Sequence, residues 1–155
     1  MPAGLPARRR PIDYRVLADL RYQLRRFLRT REVTARAAGI EPQQYLLLLQ
    51  VRGLAGRREA TIGALAERLQ ISHHGVVQLV DRLVERGLVE RRRGADRREV
   101  VVRLRRPGET ILQKLARQSI AELTTEGPGL VASLRRLIVQ STRSGTSSRN
   151  GRGKA

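Results

Sequence analysis

Hydrophobic positions near the start of the chain recur at steps of three and four residues, the spacing of one face of a helix. This stripe predicts an amphipathic helix over roughly 13–36, and Asp13 is placed to cap its first turn. A leucine-rich run after Pro42 is apolar on nearly every side, which predicts a second helix buried in the core. The stripe of the first helix comprises Leu17, Leu20, Leu24 and Leu28.

Two short helical patterns and a hairpin follow in the middle of the chain. Thr61 and Ser72 each precede an apolar repeat and predict the caps of two successive helices, and Gly87 is placed to end the second helix. Two β-prone runs, 88–93 and 99–104, flank a turn that contains glycine and aspartate. This pattern predicts a β-hairpin.

The helical period returns after Pro107 and continues through most of the remaining sequence. The Gly-Pro-Gly sequence at 127–129 interrupts it, and because proline lacks a backbone N–H we expect two helices here rather than one. From Ser141 onward Ser, Thr, Gly and Arg predominate, which predicts disorder, as do the prolines and arginines of residues 1–11.

The order helix, turn, helix and hairpin is that of a winged helix-turn-helix. The predicted fold class is mostly α with a small β-hairpin wing, flanked by N- and C-terminal dimerisation helices. Apolar stripes at both ends of the chain exceed what one such module covers, which indicates an interface between two copies. The alternative is that these helices pack on the core of their own chain. The predicted dimerisation residues are Leu17, Leu20, Leu24, Leu115, Leu134 and Leu137.

These elements divide the chain into five segments. The predicted segments are a basic arm at 1–11, an N-terminal dimerisation helix at 12–36, a winged domain at 40–106, C-terminal dimerisation helices at 107–140 and a basic tail at 141–155.

The second helix of the central pair would have to present short polar side chains to the major groove of DNA. Gln78 can form two hydrogen bonds with an adenine edge, Arg82 can reach guanine or a phosphate, and Gly75 lets the backbone approach the duplex. For the two histidines a solvated helix start is the alternative. A metal site there is disfavoured, because neighbouring helical positions point about 100° apart. The predicted contact residues are Ser72, His73, His74, Gly75, Val77, Gln78 and Arg82.

The hairpin carries five arginines within eight positions, where guanidinium groups repel each other unless an anion lies nearby. An arginine at the tip of such a wing suits the narrow, negative minor groove of A·T-rich DNA. Asp96 either orients Arg98 through an ion pair or forms the turn, and a solvated wing is the alternative to DNA contact. The predicted contact residues of the wing are Arg91, Arg92, Arg93, Asp96, Arg97 and Arg98.

Charge and composition support a polyanionic partner. The formal net charge is +18, from 32 Lys and Arg against 14 Asp and Glu, although coding bias would also enrich arginine. Aromatic residues make up 3% of the chain, which disfavours readers of RNA or single strands that stack bases. The absence of cysteine excludes disulfides, thiol redox sensing and cysteine zinc sites.

The segment 60–104, ATIGALAERLQISHHGVVQLVDRLVERGLVERRRGADRREVVVRL, resembles the DNA-binding core of the MarR family, the multiple antibiotic resistance regulators. Its most specific part is LVDRLVERGLVER followed by the wing sequence Asp-Arg-Arg at 96–98. With the long flanking helices, the resemblance covers roughly residues 12–140. Two positions depart from the family pattern. Gln70 stands where members usually have glycine, and Arg105 stands where a capping threonine usually follows the wing.

The resemblance implies a winged-helix homodimer that binds a short palindromic operator in double-stranded DNA. It also implies that a small aromatic effector relieves this binding, from a pocket that we place near Leu24 and Tyr45.

A sequence-specific transcription regulator, a repressor by preference, is therefore the main interpretation. The alternative is an architectural protein that coats DNA with little sequence preference, which the high charge and both basic ends favour. An enzyme is disfavoured, because the sequence offers no phosphate-binding glycine motif, no nucleophile with a base and no paired carboxylates. No cofactor or metal is expected. Without a signal sequence or a long apolar run, we expect a cytoplasmic, nucleoid-associated protein with no membrane partner.

Overall fold

The structure, a computed structural model, describes residues 12–145 and only the backbone of 140–145. The predicted arm at 1–11 and residues 146–155 of the predicted tail lie outside the described residues. The described part is mostly helical with one antiparallel hairpin, which confirms the predicted fold class. Its elements are α1 (Tyr14–Ala37), α2 (Pro42–Leu54), α3 (Ile62–Leu69), α4 (His73–Glu85), β1 (Val89–Arg93), β2 (Val100–Leu104) and α5 (Arg106–Gly145).

The chain folds as two compact units, one of residues 29–121 and one that combines the two ends of the chain, up to Leu28 and from Glu122. The core of unit 29–121 is built from aliphatic side chains of α2, α3, α4, the hairpin and the first part of α5. The α2 helix contributes Leu47, Leu48, Val51 and Leu54 to this core, as predicted, but its Leu46 and Leu49 are exposed, so burial on nearly every side is wrong. Fully buried members of this core include Leu47, Leu48, Leu65, Val76, Val80, Leu83 and Leu115.

Side-chain caps start the helices at the predicted positions. The Asp13 carboxylate accepts from the backbone N–H of Arg15 at 3.0 Å. Thr61 Oγ1 accepts from Ala64 N at 3.1 Å, and Ser72 Oγ accepts from Gly75 N at 3.0 Å. Each cap satisfies a donor that the first helical turn leaves without an intrahelical partner, which fixes where α1, α3 and α4 begin.

The hairpin register pairs Val89 with Leu104 and Arg93 with Val100, which leaves residues 94–99 as its turn. We call residues 94–99 the wing turn. On the other side of the hairpin, Thr61 forms a β-bridge to Val101, and Ala60 O accepts from Val102 N at 2.9 Å. The hairpin is therefore joined by backbone contacts to the start of α3.

The predicted break at 127–129 is wrong, because α5 continues through it as one helix of 40 residues. Pro128 lies inside this helix, although an interior proline removes one backbone hydrogen bond. Leu123, Leu130 and Leu134 keep the helical spacing across the break, so the pattern on both sides outweighs the local preference of proline. The helix also extends to Gly145, so residues 141–145, which were predicted to be disordered, are helical.

Unit 12–28 with 122–145 presents apolar side chains on its surface. The side chains of Leu17 and Leu134 are 45% and 47% exposed, and Leu20, Leu24 and Leu137 are half-buried. Leu115, in contrast, is 2% exposed and belongs to the core of unit 29–121. Burial within its own chain removes Leu115 from the predicted dimerisation surface.

Candidate nucleic-acid interface

The turn between α3 and α4 contains a non-glycine residue in the left-handed region. Gln70 has φ 55° and ψ 40°, and its backbone N–H donates to the carbonyls at the end of α3. Its side-chain amide nitrogen donates to Glu67 O at 2.7 Å. The turn therefore has the geometry that glycine usually supplies, and the Gln70 side chain compensates in part by satisfying a terminal carbonyl.

Helix α4 has one buried face and one exposed polar face. Val76, Val80 and Leu83 are fully buried against the core. The opposite face, formed by His74, Gln78 and Arg82, is exposed, and we call these three residues the outer face of α4. This burial pattern holds the outer face away from the core, as reading of a major groove requires.

The remaining predicted contact residues of α4 lie around its first turn. Ser72 and His73 are exposed, and Val77 is half-buried and packs against the core. A Cβ on Gly75 would lie 3.3 Å from Ser72 Oγ and 3.6 Å from Ile71 Cδ1. Gly75 therefore leaves room for the cap and the turn, a role in addition to the predicted close approach of backbone to DNA.

His74 and Gln78 contact each other along the outer face. Gln78 Nε2 and His74 Nε2 are 3.1 Å apart, one helical turn from each other. Since the amide nitrogen is a donor, it bonds a ring nitrogen that carries no hydrogen. This contact orients the amide and leaves its oxygen and its second N–H available for an adenine edge.

Arg86, which the sequence analysis did not single out, fixes the end of α4. Its guanidinium donates to Gln44 Oε1 at 2.9 Å and to Gly39 O at 2.8 Å. Gln44 is 6% exposed, so the contact links α4 to the buried start of α2. The nearest sequence signal is the Gly87 that follows it, which has φ 68° and ends the helix as predicted.

Two of the five wing arginines have acidic partners within the chain. Arg91 forms an ion pair with Asp81 of α4, and Arg92 Nε lies 2.8 Å from Glu90 Oε1. The Arg92 hydrogen bond, with smaller contributions from the positive charges of Arg92, Arg105 and Arg103, lowers the pKa of Glu90 below its usual range. The sequence predicted that these arginines need an external anion. For Arg91 and Arg92 acids of the same chain are the partners instead.

The other three wing arginines differ from this pair. Within residues 12–139, Arg93, Arg97 and Arg98 have no carboxylate at ion-pairing distance. Asp96 forms the turn: its carboxylate accepts from the backbone N–H of Arg98 at 3.0 Å, and its carbonyl accepts from Glu99 N at 2.9 Å. Of the two roles predicted for Asp96, the structure shows the turn. The hairpin thus presents three guanidinium groups to an external anion.

An open cavity of about 560 Å³ lies between the end of α2, the α2–α3 loop and β2. Arg52, Arg57 and Arg103 line it together with Glu59 and Glu109. Neither residue of the predicted effector pocket lines this cavity. Tyr45 is buried with its hydroxyl 3.5 Å from Ser119 Oγ, and Leu24 belongs to the other unit. The effector pocket remains a prediction.

The described residues contain no helix with the length and hydropathy needed to cross a membrane. Within the same residues, no group of three or more His, Cys, Asp or Glu side chains is placed to hold a metal ion.

Comparison with known proteins identifies the winged domain. Residues 38–99 match the model of the MarR family. This segment is similar to the MarR family domain. It runs from the α1–α2 turn into the wing turn and includes all of the outer face of α4. No curated protein matches the chain in sequence.

Solved structures extend the similarity to both flanking helices. A MarR family protein from Bacillus stearothermophilus is 25% identical, with a TM-score of 0.60 over 85% of this chain and 99% of that chain. The M. tuberculosis transcriptional regulator MOSR, solved in complex with DNA, is 24% identical, with a TM-score of 0.55 over 83% and 94%. BpsR of Bordetella bronchiseptica, whose DNA binding is regulated by 6-hydroxynicotinic acid, is 21% identical, with a TM-score of 0.58 over 79% and 98%. The MarR fold therefore includes α1 and α5 as well as the matched segment.

Proposed function

We propose that this protein is a transcription regulator that binds a palindromic operator as a homodimer and acts as a repressor. The observation that carries the proposal is the exposed outer face of α4 beside a hairpin with three arginines that lack an acidic partner in the described chain. One surface suits base edges and the other suits phosphates or the minor groove. No catalytic step is proposed for the chain.

The outer face of α4 would read the major groove. The Gln78 amide, held by His74, donates to and accepts from an adenine edge, and Arg82 reaches guanine or a phosphate one turn further along. Ser72 and His73 lie at the N-terminal end of the helix, where a recognition helix approaches the bases most closely. The Asp81–Arg91 ion pair would hold the wing beside this helix.

The wing turn would enter the flanking minor groove. Arg97 and Arg98 lie in a turn that Asp96 closes, and Arg93 is the last residue of β1. A narrow A·T-rich minor groove has a strongly negative potential, which attracts arginine. The outer face of α4 would thus recognise bases in the major groove, and the wing turn would recognise the shape of the adjacent minor groove.

The dimer would place two recognition helices about one DNA turn apart, roughly 34 Å, so that each reads one half of a palindrome. The exposed apolar residues of unit 12–28 with 122–145, such as Leu17 and Leu134, supply the surface for a second copy. A bound dimer would exclude polymerase from the promoter. By analogy with BpsR, a small aromatic acid would relieve binding.

The architectural alternative is supported by the net charge of +18. Such a protein would bind through about 6–10 phosphate contacts, and its affinity would fall about 10³- to 10⁵-fold between 50 and 200 mM salt. Sequence selectivity distinguishes the regulator from the architectural protein. Binding driven by counterion release alone would have the same affinity for every base sequence.

The deciding experiment is selection from a random duplex library by the full chain at roughly physiological salt. Enrichment of an inverted repeat supports the regulator, whereas tight, salt-sensitive binding without enrichment supports the architectural protein. With the selected duplex, Gln78→Ala should flatten base preference more than it weakens overall binding. Gln113→Ala, the same change at an exposed position of α5, is the control. Equal loss on all duplexes would contradict a base-reading role for Gln78.

A further inference from the structure

The wing turn makes one hydrogen bond to a residue far away in the sequence. Glu59 Oε2, in the loop between α2 and α3, accepts from the backbone N–H of Ala95 at 3.1 Å. The two residues are 36 positions apart, so no local pattern indicates the contact. Glu59 lies outside the predicted DNA contacts and outside the helix-turn-helix.

This bond differs from the others that shape the wing turn. Gly94 N donates to Glu99 O at 3.0 Å, and Glu99 N and Arg98 N both donate to Asp96. These contacts all lie within the hairpin, so they connect the turn to no other element. The Ala95 bond has its acceptor outside the hairpin, so it restricts the direction of the turn.

Gly94 allows the close approach that this bond needs. A Cβ at Gly94 would lie 3.1 Å from Glu59 Oε2 and 3.0 Å from Val101 Cγ2. Both distances are tighter than ordinary carbon contacts, so a side chain here would push the carboxylate or the strand away. The glycine is explained by this packing, since its φ is not in the left-handed region.

The backbone next to Glu59 is hydrogen-bonded to the hairpin. The next residue, Ala60, is buried, and its carbonyl accepts from Val102 N at 2.9 Å. Thr61 then caps α3 and bridges to Val101. The backbone that carries Glu59 is therefore joined to both the start of α3 and the hairpin.

We infer that Glu59 is a positioning residue for the wing, which sets the direction of Arg97 and Arg98 toward the minor groove and thereby the preference for A·T-rich flanks. The inference rests on the proposed DNA binding. Glu59 itself would not contact DNA, since a carboxylate at a phosphate would be repelled. It acts by restricting the turn before DNA arrives, so that less ordering is needed on binding.

Charge is the competing explanation, because removing Glu59 also raises the net positive charge. Three variants separate the two effects, since each removes one negative charge from this region. Glu59→Gln keeps an oxygen that can accept from Ala95 N, Glu59→Ala keeps none, and Glu99→Ala leaves the Glu99 carbonyl that accepts from Gly94.

The first measurement is amide hydrogen exchange of Ala95 in the free, full-length protein. Glu59→Ala should speed this exchange about fivefold or more, the population change expected for a lost hydrogen bond. Glu59→Gln and Glu99→Ala should leave it within about twofold of the parent. Unchanged exchange in Glu59→Ala overturns the inference whatever the protein does on DNA.

The second measurement compares the selected duplex with A·T-rich and with G·C-rich flanks around an identical core. Glu59→Ala should reduce the ratio of the two affinities about fivefold or more, the lower end of discrimination at one base pair. Glu59→Gln should retain the ratio, and Gly94→Ala should lower it by displacing the carboxylate. If Glu59→Ala and Glu59→Gln lower the ratio of the two affinities equally, the effect comes from charge, and the inference is overturned.

The two measurements also distinguish failure of the inference from failure of the proposed function. If the parent shows no enriched duplex or no flank preference while Ala95 exchange responds as expected, the proposed reading by the wing has failed. The positioning role then falls with it, and Glu59 is left as a purely structural contact. If the parent prefers A·T-rich flanks and Glu59→Ala keeps that preference, the proposed function stands and the inference fails.

Discussion

At the scale of single residues, Gln70 occupies a left-handed position in the turn between α3 and α4, where glycine is the usual residue. Its φ of 55° is unfavourable for a side chain with a Cβ, by about 1–2 kcal/mol. The bond from its amide to Glu67 O compensates for part of this, because it satisfies a carbonyl at the end of α3. The sequence resemblance located the departure, but only the backbone angles show that Gln70 adopts the left-handed conformation that glycine usually supplies.

Replacing Gln70 with glycine should therefore stabilise the protein. We expect Gln70→Gly to raise the free energy of unfolding by about 0.5–1 kcal/mol, the strain relieved less the entropy of glycine and the lost amide bond. Urea denaturation at fixed protein concentration measures it. Gly87→Ala is the matched control with the opposite sign, since Gly87 has φ 68° and should lose about 1 kcal/mol. A loss of stability in Gln70→Gly would show that the amide bond outweighs the strain.

At the scale of elements, the wing divides its arginines into two groups. Arg91 and Arg92 are paired with acids of the same chain, and Arg93, Arg97 and Arg98 have no such partner among the described residues. The sequence shows five equivalent positive charges, because the partners Asp81 and Glu90 become neighbours only in the hairpin and its contact with α4. The two groups should contribute unequally to DNA binding.

Salt dependence tests this division. Arg97→Ala should reduce the slope of log K against log salt by about 0.9, the value for one positive charge that no longer neutralises a phosphate along the groove. Arg92→Ala removes the same charge from a residue paired with Glu90, so its slope should change by less. Fluorescence anisotropy with one duplex at several salt concentrations gives both slopes. Equal changes for the two variants would mean that the ion pair with Glu90 opens on DNA.

Helix α5 continues through Pro128 although proline is a local signal against a helix. An interior proline disfavours a helix by about 3 kcal/mol relative to alanine, yet the helix spans it. Pro128→Ala should therefore raise the free energy of unfolding by about 1–3 kcal/mol, measured by denaturant at fixed protein concentration. Pro107→Ala, in the first turn where proline is tolerated, should change stability little. No gain from Pro128→Ala would indicate that the helix is relaxed around the proline.

At the scale of the whole molecule, the exposed apolar face of unit 12–28 with 122–145 and the high positive charge have different consequences. The charge of +18 attracts DNA of any sequence. In the proposed dimer, by contrast, the apolar face would bring two recognition helices together. Sequence-specific binding to a palindrome depends on the second property.

A glutamate on the apolar face should therefore separate the subunits. Leu134→Glu places a charge at a position that is 47% exposed in one chain and buried in the proposed dimer. We expect monomers in analytical ultracentrifugation and an affinity for the palindrome reduced to that for one half-site. Ala132→Glu adds the same charge at an exposed position on the opposite side of α5 and should remain dimeric. A dimeric Leu134→Glu protein would place the interface elsewhere.

The sequence by itself determined the order of elements up to the end of the hairpin, the caps and the polar face of α4. These features depend on contacts within four residues, such as Ser72 with Gly75, or on the spacing of apolar side chains such as Val76, Val80 and Leu83. The MarR resemblance was readable for the same reason, since its signature lies in one continuous segment.

Tertiary structure decided the features that depend on partners distant in the sequence. Pairing of Arg91 with Asp81, the bond from Glu59 to Ala95 and the burial of Leu115 all arise when separate elements pack together. No periodicity encodes such contacts, because any of several arginines or leucines would fit the pattern equally well. The sequence thus predicted a surface for DNA, whereas the packing decided which of its arginines pair with acids of the same chain.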